Sequence, residues 1–420
     1  MRRTTMGIMA AAAALAGGVL AGGGPVAAQE KKLTLFTWNL PIYEEKFRGW
    51  IQDFKELHPD FTVEWLDKKG TEWPTFYQTQ VVAGTPPDIL DIQGALWVEY
   101  ADAGQLLDLT PYLEKEPDVR AEYNPEALKF WEYEGKQYML PWYFSKSLLI
   151  YNKKLFEEAG LDGPPEDLDQ LLDAAQRIAE SGEGRTGFIT LNFDWLYWPI
   201  FASQGIELLN EDMTEAAFNT PETVELVRKL AEATRSGAIN NISWTGRWVE
   251  PNNAFATGDI GMYQAHGAAL FWVASNAEWV SDDTVGVVPF PGGWGTPNGH
   301  GLGISSATEH PDAAWDFIKI ATNDKWQTTM ADTFTILTVN ESVDEDLIGG
   351  LRADEPLKAE TLELSLANMD KATGNWVTPR DAAIKEAFWP EIQAALLGQK
   401  DPEEAVAAAE SKVNRVLRRR

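Results

Sequence analysis

The 420-residue chain contains no cysteine. That excludes disulfides, thiol nucleophiles and thiolate metal sites, and with them a lipid tether on an N-terminal cysteine. Histidine is nearly as scarce, with four in the whole chain. His58 and His310 each precede a proline at a helix end and read as punctuation. His266 and His300 are too few and too separated for a metal centre, and no H-E-x-x-H occurs. Each can bond a hydroxyl. Gly299-His300-Gly301-Leu302-Gly303 lacks the G-x-x-x-x-G-K of a phosphate loop, and no G-x-S-x-G elbow appears. Neither a metal nor a cofactor is expected. Basic residues are few: 35 Lys and Arg stand against 64 Asp and Glu, a net charge of −29. Such a surface repels nucleic acid and anionic lipid.

Long apolar runs are also missing beyond the first 28 residues. None approaches the ~20 residues that a membrane span needs. Residues 1–28 read as an export signal. Arg2 and Arg3 supply the charge, Gly7 to Leu20 is uncharged, and Val26-Ala27-Ala28 offers small residues before a cut at Gln29. Arg2-Arg3 hints at twin-arginine export, but Thr5 stands where that signal wants an apolar residue. Removing this segment takes away two Arg and no acid, so −29 becomes −31. The 392 residues that remain suit two domains, at ~100–200 residues each.

The periodicities give an α/β fold. Leu33 to Trp38 is a short apolar strand. Tyr43, Phe47, Trp50, Ile51, Phe54 and Leu57 recur at helical spacing until Pro59. Phe61 to Leu66 alternates as a second strand, Pro74 opens a helix through Val82, and Asp88 to Ile92 is a third strand. This β-α-β-α-β order implies a parallel sheet with helices on its faces. Ligands bind such sheets beyond the carboxyl ends of the strands, here at Trp38-Asn39 and Gln93-Gly94. Further helices run along 168–178, 224–231, 311–321, 380–397 and 403–417. A turn at Pro141 precedes an apolar strand, Leu148 to Tyr151, and a Pro/Gly-rich loop fills 291–303.

Several stretches, in order, resemble one family. Tyr151-Asn152-Lys153 with Phe156, Gly160-Leu161 and Pro164-Pro165 is similar to the Y-N-K-x-x-F-x-x-x-G-L-x-x-P-P segment of extracellular solute-binding proteins of the maltose-binding type. Gly84-Thr85-Pro86-Pro87-Asp88 resembles their A-G-x-x-P-D. Phe255 to Met262 resembles F-x-x-G-x-x-A-M, with Gly261 in place of Ala. Pro311 to Phe317 resembles P-x-x-A-W-x-F, and Leu397-Gly398 with Pro402 to Ala405 resembles the terminal L-x-G and P-x-x-A. The resemblance implies a type II periplasmic binding protein fold, with two lobes, a hinge and a cleft between them. It divides the chain into 29–143 with 299–340 as the N-terminal lobe, and 144–298 with 341–420 as the C-terminal lobe. It implies a monomeric periplasmic receptor, not a lipoprotein and not an enzyme. Such a receptor hands a carbohydrate to an ABC permease after hinge closure.

The chain has 18 Trp, 11 Tyr and 18 Phe. Trp50 and Trp315 lie on helix stripes and belong to the core. Trp38, Trp142, Tyr143, Trp195, Trp198, Trp272 and Trp376 lie at strand ends or in polar loops. A sugar packs its C–H faces on aromatic rings and turns its hydroxyls to polar partners, so these seven are cleft candidates. The polar candidates are Asn39, Glu44, Gln93, Ser145, Asp194 and Arg380, with His266 and His300. Ser145 stands where maltose-binding members carry an acidic ligand contact, which argues against maltose itself. Two alternatives stay open. One is a secreted carbohydrate-active hydrolase with two carboxyls across a glycosidic bond. The other is a same-fold receptor for a non-sugar such as a polyamine, which wants convergent acids beside aromatics.

Overall fold

A computed structural model describes residues 31–418, apart from Asn39, Leu40, Phe193, Asn375 and Val377. The export segment and the candidate Asn39 thus lie outside the described residues. The strands are β1 (Lys31–Trp38), β2 (Phe61–Lys68), β3 (Ile89–Gln93), a small hairpin of β4 (Glu132–Tyr133) and β5 (Lys136–Gln137), β6 (Met139–Asn152), β7 (Thr186–Thr190), β8 (Ile260–His266), β9 (Val285–Val288) and β10 (Pro297–Ile304). All but the β4–β5 hairpin, which stands as its own two-stranded sheet, form one sheet in the order β2-β1-β3-β10-β6-β8-β7, with β9 also on β6. β1 is parallel to β2 and β3, as the alternating strands and helices predict.

The first helix, Glu44–Leu57, buries Phe47, Trp50 and Phe54 against this sheet. These residues fall on one face at the helical repeat. The Y-N-K motif has a local cause. Asn152 Oδ1 accepts the backbone N–H groups of Lys154 and Leu155 at 3.1 and 3.2 Å, capping the short helix Lys153–Glu158. A capped first turn satisfies donors that the helix itself leaves open.

β6 carries the two halves of the molecule. Met139 to Lys146 pairs with β10, while Ser147 to Asn152 pairs with β8 and β9. The sequence predicts a turn at Pro141 and a separate strand from Leu148. The structure instead runs one continuous strand over both. Pro141 is tolerated because it lies opposite Gly301, beside a register shift at His300/Gly301 where the ladder is already interrupted. The same pairing turns the end of the predicted 291–303 loop into β10.

Separate hydrophobic cores lie on either side. The first gathers residues 33–144 with Leu302, Ile304 and the helix Pro311–Ala321. The other side is built on the second half of β6, the helices Leu168–Glu180 and Pro221–Ser236, and the closing pair Asp381–Leu396 and Pro402–Leu417. Trp50 and Trp315 are core residues, as their stripes predict. Val343, Leu347, Ile348, Ala359 and Leu362 sit in the first core, although the sequence reading put 341–420 in the second lobe. The helix Pro356–Leu366 reaches both sides, because Leu357 and Leu364 pack on the other core.

Three chain segments cross between the halves and meet at one node. Ser147 N–H donates to Thr296 O at 3.0 Å, and Ser147 Oγ accepts from Thr296 N–H at 2.8 Å. Thr373 N–H donates to Gly295 O at 2.9 Å, and Gly295 N–H to Lys371 O at 3.3 Å. The buried Lys146 ammonium donates to Ala367 O. Burial lowers its pKa to about 8.

Candidate functional site

The carboxyl ends of β1 and β3 open onto the gap between the halves. Two adjoining cavities lie there, of about 480 and about 600 Å³. Both are open to solvent, so these volumes include space outside the protein surface. Ala95, Asp194 and Asp381 border both cavities, so they form one cleft. The first half contributes Trp38, Gln93, Glu99 and Trp131. The second contributes Trp195, Thr378 and Lys385, while Thr296 and Asn298 come from the return crossing.

Trp38 ends β1, stacks on Trp73 at 6.1 Å and meets the edge of His300 at 6.2 Å. Gln93 ends β3 and faces His300 in register. Asp194 projects from the second half with a left-handed backbone, φ 47°. Aspartate tolerates that conformation better than most residues. Its Oδ2 accepts from Asn298 Nδ2 at 3.0 Å, and it lies against Gly94, itself at φ 62°. Trp195 packs edge-on against Trp376 at 4.7 Å. Its indole N–H donates to Asp381 Oδ1 at 2.8 Å.

Two charged residues that the sequence reading passed over complete the cleft. Asp381 opens the helix Asp381–Leu396, and burial raises its pKa to about 6, with Asp194 adding to the rise. Lys385 stands one turn on. Its ammonium donates to the Asp194 carbonyl and lies over the Trp195 ring at 5.7 Å. Burial lowers its pKa to about 8.

Of the residues proposed from sequence, Trp38, Gln93, Asp194 and Trp195 come together on the cavity walls. Trp142 and His300 do not reach those walls. Trp142 Nε1 donates to the buried Asp91 at 3.0 Å, and His300 Nδ1 bonds the same carboxylate at 3.0 Å. Together they form a packed floor beneath Trp38. Tyr143 and Ser145 are buried on β6, opposite His300 and Asn298, and burial raises the Tyr143 pKa. Trp198 is core, stacked on Phe201 at 4.8 Å, and Trp376 covers Trp195 and Trp198.

The rest lie elsewhere. Glu44 is exposed and bonds Arg48 one turn along its own helix. His266 is buried and stacks on Trp248 at 4.9 Å. Trp272 is half-buried on the helix Gly267–Asn276, against the core of the second half. Arg380 donates to the Leu417 carbonyl and is held at the end of the last helix.

A family profile, bacterial extracellular solute-binding protein, matches residues 38–328. The chain belongs to that family. Among curated relatives, this solute-binding protein is 21% identical over 294 residues to the diacetylchitobiose binding protein DasA of Streptomyces coelicolor. The match covers 64% of each chain, just under two thirds of that relative's own length. Among solved structures it resembles an ABC substrate-binding protein of Listeria monocytogenes in complex with cycloalternan. Identity there is 25%, coverage is 92% of this chain and 98% of that one, and the TM-score is 0.76. It shares its fold with maltose-bound MalE3 of T. maritima, at 23% identity, 91% and 98% coverage and a TM-score of 0.73. The fold is the two-lobe type II architecture of periplasmic binding proteins, with a hinge and an interlobe cleft.

Proposed function

We propose that this protein is the periplasmic receptor of an ABC importer and captures a carbohydrate by closing its lobes on it. One observation carries the reading. The cleft between two separately packed halves is walled by Trp38, Trp131 and Trp195, and Gln93, Thr296, Asn298 and Asp194 stand among them. Flat apolar walls beside amide, hydroxyl and carboxylate groups suit a sugar ring and its hydroxyls. The relatives named above are described with diacetylchitobiose, cycloalternan and maltose, which supports the same class here. The lobes move as the two cores, with the node at Lys146, Gly295 and Ala372 as the hinge. The protein works as an exported monomer beside a membrane permease, without metal or catalysis.

Closing from 1:99 to 99:1 needs ~5.5 kcal/mol of differential binding. A neutral hydrogen bond contributes ~0.5–1.5 kcal/mol net. Several bonds plus stacking, from both halves, must act together.

The test is a thermal-shift screen of the mature chain over neutral mono- and oligosaccharides, with mass spectrometry of the recovered sugar. A ligand at 100 times its Kd adds ~2.7 kcal/mol. We expect a saturable shift for at least one saccharide, recovered intact. Glu99 and Asp381 come from opposite sides of the cleft, so a hydrolase is the reading that cleavage would favour instead. Trp38→Ala and Gln93→Ala should each weaken binding at least tenfold. Trp272→Ala should leave it within twofold, since Trp272 lines neither cavity.

A further inference from the structure

The charges around the cleft are unbalanced. Glu99 of the first half and Asp194 and Asp381 of the second all line the larger cavity. None of the three forms an ion pair with a basic residue among the described residues. Asp194 spends one oxygen on Asn298, and Asp381 accepts from the Trp195 indole. Among the described residues Lys385 is the one basic residue on the cavity wall. It donates to the Asp194 carbonyl, lies over the Trp195 ring and attracts Asp194 and Asp381, so it offsets one of the three negative charges and leaves the wall acidic. Arg247 is exposed, lowers the Lys385 pKa by its like charge, and borders neither cavity. An uncharged guest would bring these carboxylates no counter-charge, although Glu99 and Asp194 keep contact with solvent. An anionic guest would add a fourth charge of the same sign.

A second observation comes from Trp38. Its indole N–H is shut off from solvent and has no partner among the described residues, although the side chain lines the cavity. A buried donor left unpaired costs about 1–3 kcal/mol. A ligand oxygen could satisfy it only if the indole turned toward the cavity. The tryptophan also attracts a cation over its ring face.

We infer that the cleft selects a solute bearing a protonated amine, in the first place an amino sugar, with Glu99, Asp194 and Asp381 receiving the ammonium and Trp38 receiving the ring. This rests on the receptor reading above and narrows its cargo. The same ammonium chemistry is offered by a linear polyamine, which lacks the ring and the oxygens.

The two sources, and the two levels of the proposal, separate in one calorimetric experiment on the mature chain at low salt and about neutral pH. The probes are chitobiose with free amines, its N,N′-diacetylated form, cellobiose, glucuronic acid and spermidine. Chitobiose should bind at least tenfold more tightly than the acetylated form and cellobiose, and glucuronic acid should not bind. Asp381→Asn keeps an oxygen for the Trp195 N–H and should reduce the amine preference severalfold. Glu99→Gln, at an exposed position, should do the same if Asp381→Asn folds poorly. Equal or tighter binding of cellobiose or the diacetyl form overturns the charge selection and leaves the carbohydrate receptor standing. Spermidine binding with no saccharide binding keeps the ammonium site and overturns the sugar. No binding by any probe overturns both.

Discussion

At neutral pH the His266 imidazole is held uncharged by burial beneath Trp248, its pKa lowered to about 4. Unfolding restores the ordinary value near 6.5 and lets it take up a proton. This residue's contribution is therefore complete above pH ~6.5 and lost as pH falls through about 4, a change of roughly 3 kcal/mol. Asp344 responds with the opposite sign. It is buried, accepts the backbone N–H groups of Thr338 and Val339, and has its pKa raised to about 7. Its contribution is complete below the unfolded value near 3.8 and is lost as pH rises through about 7. Urea denaturation at pH 5 and pH 7 should show His266→Phe losing less stability on acidification than the parent. An unchanged pH response would mean that His266 is not the group that titrates.

The residues also show what a single sequence exposes and what it hides. The position of Trp38, Gln93 and Asp194 on the cavity walls was legible because strand ends and polar loops mark where a cleft opens. Trp142 misled because Pro141 beside it looks like a turn, while in the fold both lie within a buried strand. Asp381 and Lys385, spaced i and i+4 on a helix, look like any solvated surface pair. Only the packing of Trp195 and Asp194 over them makes them part of the cleft.

Among the elements, β6 has the most to do. One strand belongs to both halves, and its two ends pair with different partners. The motif order in the sequence puts this crossing at 143/144, and β6 changes partner at Lys146/Ser147. It could not locate the third crossing near 367–373, where no hydrophobic period marks the chain. At Gly295 the crossings press close together. A Cβ there would lie 2.7 Å from Ser147 O and 2.8 Å from Lys146 Cγ. The carbonyl cannot move without shifting β6. Gly295→Ala should therefore cost about 1–3 kcal/mol in chemical denaturation, and should change ligand affinity although Gly295 borders neither cavity. Wild-type stability and affinity in that variant would show that the crossings are not tightly coupled.

For the whole molecule, the alternation of strands and helices and the order of five weak motifs sufficed to place the chain in its family. Core boundaries were harder to read. Helices after residue 341 serve both halves, so no stretch of sequence ends where a lobe ends. The central claim is that the two halves close on a bound saccharide. The cysteine-free chain makes its direct test simple, because two introduced thiols are the only ones to label. Val82 of the first half is 87% exposed and Met213 of the second 41% exposed. Paired spin labels at Val82→Cys and Met213→Cys should report one distance distribution without sugar and a distinctly shifted, narrower one with the saccharide of largest thermal shift. The same distribution in both states, at saturating saccharide, would contradict closure.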